Sequence, residues 1–343
     1  MRLSPGAGWV RCRRALLALV LMAAGISASA EESRSIRLAV GGQALFYYLP
    51  LTLAERLGYF REAGLEVEII DFPGGSKSLQ ALMGGSAEVV AGSFEHVVNM
   101  RARGQAVTAF VLLARYPAIV LAVGAEFSPA YKETRDLAGR RIGITAPGSS
   151  THLFLNNVLA RAGMSPDDVS VIGVGTGASA VAALRRGDVE ALVHLDPVIE
   201  ELVSAGAARV VIDTRTEADA RAVYGGAYPA ACLYARAEWL ADNAEAASAL
   251  AKAQVRALHW LASASAKDIR AVLPEAFWSR NPAAWESALS KNRAIWSLDG
   301  RLDEAGARNV IATLAAFEDF VRVARLEPAS LIDTRVVGAM DPE

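Results

Sequence analysis

The sequence predicts an α/β protein of two lobes, each a mostly parallel sheet flanked by helices, with two hinge strands joining them. Three observations predict this: strands alternate with helices, one stretch is written twice, and a Tyr-Pro-Ala phrase follows each copy. Ala63-Gly64-Leu65, Val67 to Ile70, Gly75-Ser76, Leu79, Ala81-Leu82, Gly85 and Glu88 return as Ala162-Gly163-Met164, Val169 to Ile172, Gly177-Ala178, Val181, Ala183-Leu184, Gly187 and Glu190. From Val67 and Val169 onward the copies run in register without a gap. The phrases Tyr116-Pro117-Ala118 and Tyr228-Pro229-Ala230 each lead into an apolar run.

In the first copy, Ser35 to Val40 alternates and is β-branched at its start, and Gly41-Gly42 breaks it, as a strand followed by a loop. Leu49, Leu53, Leu57 and Phe60 share helical spacing, which predicts a helix closed by Ala63-Gly64. A strand is expected from Leu65 to Phe72, a turn at Pro73-Gly74-Gly75-Ser76, and a helix from Lys77 to Met83. A buried strand at Ala87 to Ala91, a helix from Phe94 to Arg103 and a strand at Val107 to Leu113 complete the unit. The second copy predicts the strand Arg141 to Thr145, the turn Pro147-Gly148-Ser149-Ser150-Thr151 and the helix His152 to Arg161. Strand Val169 to Val174, helix Ala178 to Arg186, strand Ala191 to His194 and a short strand at Val210 to Ile212 follow. Such alternation builds a parallel sheet covered on both faces. Beyond Ala237 the pattern is helical, and its five tryptophans, Trp239, Trp260, Trp278, Trp285 and Trp296, are expected to pack the core.

The Tyr-Pro-Ala strands are the natural crossings between lobes. Lobe 1 is then discontinuous, 31–120 and 230–343, with the C-terminal helices packed on it, and lobe 2 is 121–229. Two crossings make a hinge, the architecture of a closing clamp.

The first thirty residues have the layout of an export signal. Arg2, Arg11, Arg13 and Arg14 precede the apolar run Ala15 to Ile26, and Ala28-Ser29-Ala30 offers a small-x-small cleavage site. The run is shorter than the roughly 20 residues of a membrane span, and Cys12 lies on the wrong side of it for a lipid attachment. A soluble exported chain beginning at Glu31 is expected. Removing four basic residues takes the formal net charge from −2 to about −6, which excludes the basic surface that nucleic acid selects. Cys232 is then the only cysteine, so neither an intrachain disulfide nor a thiolate-rich metal site is available.

Ligands of parallel α/β sheets bind outside the carboxyl ends of the strands, where helix N-termini present free N–H groups. Four such turns carry glycine or a small hydroxyl: Gly74-Gly75-Ser76, Gly92-Ser93, Gly148-Ser149-Ser150-Thr151 and Gly175-Thr176-Gly177. Ordinary helix capping uses the same residues, yet both copies carry them, and Gly75, Ser76, Ser93, Ser149, Ser150 and Thr151 become candidates for ligand contact. Gln43 and Tyr47, in the loop after the first strand, add amide and aromatic groups, and Tyr116 and Tyr228 fall at the crossings. Aromatic walls with a few polar groups suit a small molecule. Glu95, in the first turn after the third strand, either complements the helix dipole or pairs with a cationic group on the ligand. Asp196, before Pro197, is a pocket acid, a hinge residue or a helix cap.

Enzyme signals fail. The four histidines, His96, His152, His194 and His259, lack zinc spacing. There is no G-x-S-x-G elbow and no Walker lysine. Gly173-Val174-Gly175-Thr176-Gly177-Ala178 satisfies a dinucleotide fingerprint, but it is the second copy's version of the Gly74-Gly75-Ser76 turn.

Four phrases together resemble the periplasmic substrate-binding proteins of ABC importers, in the nitrate/sulfonate/taurine group that includes the NMT1/THI5-like proteins. They are Leu53-Ala54-Glu55-Arg56-Leu57-Gly58-Tyr59-Phe60-Arg61-Glu62-Ala63-Gly64-Leu65-Glu66-Val67, Gly74-Gly75-Ser76-Lys77-Ser78-Leu79-Gln80-Ala81-Leu82, Asp136-Leu137-Ala138-Gly139-Arg140-Arg141-Ile142-Gly143 and Ala182-Ala183-Leu184-Arg185-Arg186-Gly187-Asp188-Val189-Glu190-Ala191. The resemblance spans about Ile36 to Ile212. It implies a type II periplasmic-binding fold, a solute held between the lobes by residues such as Gln43, Ser76, Ser93 and Ser149, and an ABC permease with its ATPase subunits as partners. No cofactor or metal is implied, the chain is expected to be monomeric in the periplasm, and the solute is expected to be a small anion or zwitterion of the sulfonate, taurine or nitrate type. The cysteine-rich motif of the family's pyrimidine synthases is absent from this sequence. An enzyme on the same fold acting on a pyrimidine or other small precursor, and an exported solute sensor, remain the alternatives.

Overall fold

The computed structural model describes Met1 and residues 34–338, so the predicted export signal, Met1 apart, lies outside the described residues. The chain first lays down β1 (Arg34–Val40), β2 (Leu65–Asp71), β3 (Val89–Ser93) and β4 (Val107–Leu112). It crosses into a second sheet of β5 (Val120–Gly124), β6 (Arg141–Ile144), β7 (Ser170–Gly173), β8 (Ala191–His194) and β9 (Ala208–Ile212), and returns as β10 (Ala231–Arg236). The two sheets have one topology. Their strand orders are β2-β1-β3-β10-β4 and β7-β6-β8-β5-β9.

The doubled sequence thus folds into doubled architecture, with one departure from expectation. The strands that follow the Tyr-Pro-Ala phrases do more than cross. Each inserts antiparallel between the third strand and the edge strand of the sheet it enters, β10 between β3 and β4 and β5 between β8 and β9. All residues of β3, β4, β5 and β8 are buried, as expected of strands covered by helices on both faces.

The helices that position the loops are α1 (Leu49–Arg56), α2 (Gly75–Met83), α3 (Phe94–Ala102), α4 (Ser150–Arg161), α5 (Ala178–Arg185), α6 (Val198–Ser204) and α7 (Glu217–Tyr224). The predicted helix from Leu49 ends early because Gly58 takes φ +80°, a left-handed conformation that glycine adopts without steric cost.

One repeated element explains why the copies share a glycine and a glutamate. The Arg37 backbone N–H donates to Glu88 Oε2 at 2.8 Å, and its guanidinium bonds both the Glu88 carboxylate and the Gly85 carbonyl. In the second half the Arg141 N–H donates to Glu190 Oε2 at 2.8 Å, and its guanidinium bonds Glu190 and the Gly187 carbonyl. Gly85 and Gly187 turn the chain with φ of +77° and +72°. The first clasp ties β1 to the start of β3, and the second ties β6 to the start of β8.

The C-terminal helices divide between the halves. α8 (Ala244–Ser263) packs on α1 of the first half, whereas α9 (Pro282–Asn292) packs on α6 of the second. Placing every C-terminal helix on the first lobe therefore misses α9. Ion pairs hold it: Glu200 accepts from Lys291 Nζ at 2.6 Å and from Ser287 Oγ at 2.7 Å. Trp285 and Trp296 close around Phe46, and Trp296 Nε1 donates to the Phe46 carbonyl at 2.9 Å. Among the described residues, no helix is long and apolar enough to cross a membrane.

Candidate functional site

Loops at the carboxyl ends of the two sheets meet. Ser149 Oγ, just before α4, accepts from the Ser76 N–H at 3.1 Å and donates to Ser76 Oγ at 3.3 Å. Gly74 passes so close to the opposing turn that a Cβ on it would lie 2.7 Å from the Ala146 Cβ. Gly42 is pressed equally closely by Thr176, and the Phe46 N–H donates to the Asp196 carbonyl at 3.1 Å. The repeated turns are brought face to face, with Gly75, Ser76, Ser149 and Ser150 all buried at the junction.

Behind that junction lies Glu95, only 3% exposed. Ser93 caps α3 by accepting from the Glu95 N–H at 3.3 Å, and its hydroxyl donates to Glu95 Oε2 at 2.8 Å. Tyr228, from the second crossing, donates to Oε1 at 2.7 Å. Tyr228 stacks on Tyr224 at the end of α7, with ring centroids 3.7 Å apart. The acidity of Tyr47, Tyr224 and Tyr228 is suppressed chiefly by burial and further by the nearby Glu95 charge. The next residue, His96, has Nδ1 3.2 Å from the Tyr234 hydroxyl, while Gly75 packs against its Cε1 edge. The His96 ring is held against the Gly148 backbone, and the Tyr224 hydroxyl is buried without a hydrogen-bond partner.

The structure gathers Glu95, Tyr47, Ser93 and Tyr228, four of the candidates read from the sequence, in one place. Tyr224, which the sequence did not single out, joins them, four residues before Tyr228. Other candidates are employed elsewhere. Gln43 donates its backbone N–H to Asp71 Oδ1 at 2.9 Å. Thr151 Oγ1 is taken up inside its own turn by the Thr145 N–H and Thr145 Oγ1. Tyr116 donates to Glu217 at 2.9 Å and borders a 400 Å³ pocket with Tyr228, Arg115, Arg221 and Arg301. Asp196 is 1% exposed and fully engaged, accepting from Arg215 Nη1 at 3.0 Å, Asn292 Nδ2 at 2.6 Å and the Glu200 N–H at 3.0 Å. That geometry makes it the anchor of α6 and α9.

Burial pushes the Glu95 carboxyl up to about 7, against the hydroxyl bonds from Tyr228 and Ser93, which lower it. Burial drives His96 the other way, down to about 4, so its imidazole is neutral at pH 7. A carboxyl whose folded value is raised stabilises the fold fully below its unfolded pKa of about 4.3 and loses that contribution as pH rises through the folded value. The stability of Glu95→Gln minus that of the unaltered protein should therefore grow between about pH 4.5 and pH 7, then level off. Urea titrations of both proteins across that range check this; a difference that does not change with pH contradicts it.

The fold and the facing loops define a two-lobe protein of the periplasmic-binding class. The family model described as "NMT1/THI5 like" matches residues 46–266, and the chain belongs to that family. A protein of Bordetella bronchiseptica with a solved structure is 43% identical, with a TM-score of 0.87 over 90% of this chain and 97% of that one. The alkanesulfonate-binding protein SsuA from Xanthomonas axonopodis pv. citri, solved bound to MOPS, is 22% identical, with a TM-score of 0.68 over 89% of this chain and 100% of that one. The 4-amino-5-hydroxymethyl-2-methylpyrimidine phosphate synthase of Schizosaccharomyces pombe is 26% identical over 162 residues, which span 46% of this chain and 44% of that enzyme.

Proposed function

We propose that this chain is the solute-binding component of an ABC importer, exported to the periplasm, which captures a small anionic or zwitterionic organic solute and presents it to a membrane permease. The observation that carries this reading is the meeting of Ser76 and Ser149 across two topologically identical sheets, with the buried, unpartnered Tyr224 hydroxyl behind them. The starts of α2 and α4 meet at that junction through Ser76 and Ser149, and helix starts favour the anionic part of a solute. In this reading the lobes are 31–120 with 230–343 and 121–229, with α9 riding on lobe 2, and closure is a rotation about the Tyr-Pro-Ala crossings.

The likeness to the S. pombe synthase favours a second reading, an enzyme acting on a small precursor. Against it, the thiol of Cys232 is buried and its acidity is suppressed by that burial, which disfavours nucleophilic use. A thermal-shift panel separates the readings: taurine, alkanesulfonates, nitrate, bicarbonate, aromatic carboxylates and formylaminopyrimidine, each tested with the mature protein. A solute at 100 times its dissociation constant should add about 2.7 kcal/mol of stability. Steady product formation from any of them would favour the enzyme.

A further inference from the structure

We infer that the solute carries a basic nitrogen, an ammonium or amidinium, and that Glu95 is the group that receives it, within a wall formed by Tyr47, Tyr224 and Tyr228. This rests on the solute-binding reading and narrows its ligand from any small anion to a zwitterion or cation. The inference comes from comparing Glu95 with the other carboxylates this molecule buries. Asp196 lies against Arg215 at 3.0 Å, and Glu200 against Lys291 at 2.6 Å. Glu95, as deeply buried as Glu200, is met by two hydroxyls and, among the described residues, by no lysine or arginine.

An unpaired buried carboxylate is costly, and proteins pair such groups or neutralise them. Helix capping does not require the burial, because a carboxylate also complements a helix dipole from the surface. Nor is the carboxylate needed to cap α3, since the Ser93 hydroxyl already accepts the Glu95 N–H. The surroundings suit a cation. Tyr228 and Ser93 hold the carboxylate oxygens in fixed positions by donated hydrogen bonds, which presents the negative charge in a defined place to an incoming cation. Elements of both halves contribute, Tyr47 and Glu95 from the first and Tyr224 from α7 of the second, so a nitrogen seated there helps to close the lobes. The unpartnered Tyr224 hydroxyl supplies further hydrogen-bonding capacity beside it.

The test uses matched solutes that differ only in the nitrogen: taurine against ethanesulfonate, and 4-aminobutyrate against butyrate, titrated calorimetrically into the mature protein and into Glu95→Gln. The expected result is that the nitrogen-bearing member of a pair binds the unaltered protein at least about 30-fold more tightly, and that Glu95→Gln erases the preference. The comparison within the unaltered protein needs no variant, and the melting temperature of solute-free Glu95→Gln reports its folding. Equal affinity of the two members of a pair for the unaltered protein, or a preference that survives in Glu95→Gln, would overturn this inference while leaving the solute-binding reading intact. No binding by these pairs or by any solute of the wider panel would overturn both.

Discussion

Asp196→Ala is expected to destabilise the protein by about 3–5 kcal/mol, the range for removing one partner of a buried ion pair. The carboxylate holds Arg215, Asn292 and the Glu200 N–H at once, and it does so where α6 of the second half meets α9 from the C-terminal segment. Alanine leaves Arg215 with Asp213 as its close partner, at 2.6 Å, and with Glu200 at 4.0 Å. It also leaves the Asn292 amide without its 2.6 Å acceptor, although that amide keeps the Ala288 carbonyl. At about 2 °C per kcal/mol for a chain of this length, the melting temperature should fall by about 6–10 °C. Scanning calorimetry reads the effect directly. Adding Arg215→Met separates the terms: a partial return of the loss would show that Asp213 and Glu200 alone do not compensate the guanidinium. A single variant that melts within about 1 °C of the unaltered protein would show that the pair does not anchor this junction.

The second large effect concerns closure. Gly74→Val is expected to weaken solute binding by about 10- to 100-fold while changing the melting of the solute-free protein much less. A side chain at residue 74 would run into the Ala146 Cβ and, at 3.1 Å, the Ser149 hydroxyl, both on the opposing half. Overpacking of this kind costs about 1–3 kcal/mol. The solute-free protein can avoid the clash by opening. The bound one cannot, so the cost appears as a reduced population of the competent state. Gly177→Ala, in the matching turn of the second copy, is the control: a Cβ there meets nothing within 4 Å, and affinity should stay within about twofold. Equal losses in both variants would refute the account of Gly74 as a contact between jaws.

The architecture was legible because it is repeated. Val67 to Ile70 and Val169 to Ile172 announce equivalent strands, and the structure gives their sheets one topology. What the repeat could not reveal is how β5 and β10 enter their sheets, since a buried apolar run carries no sign of its direction. Nor could periodicity show that α9 crosses to the second half, because the ion pair of Lys291 with Glu200 and the hydrogen bond of Asn292 to Asp196 that hold it join residues far apart in sequence. At the site the same limit applies in both directions. Small hydroxyls at helix starts are ambiguous in sequence; Thr151 serves its own turn, while Ser76 and Ser149 find each other across the junction. Glu95 was visible as a carboxylate in a first turn, but its isolation from every arginine and lysine described here is a fact of packing.

The central claim is that the two halves form a clamp that holds a small solute without changing it. Native mass spectrometry tests it most directly, using the mature chain mixed with the solute that gives the largest shift in the thermal panel, followed by denaturation and recovery of the small molecule. The account predicts a complex of one protein and one solute, with the solute released chemically intact. Recovery of a converted product, in amounts exceeding the protein, would contradict it.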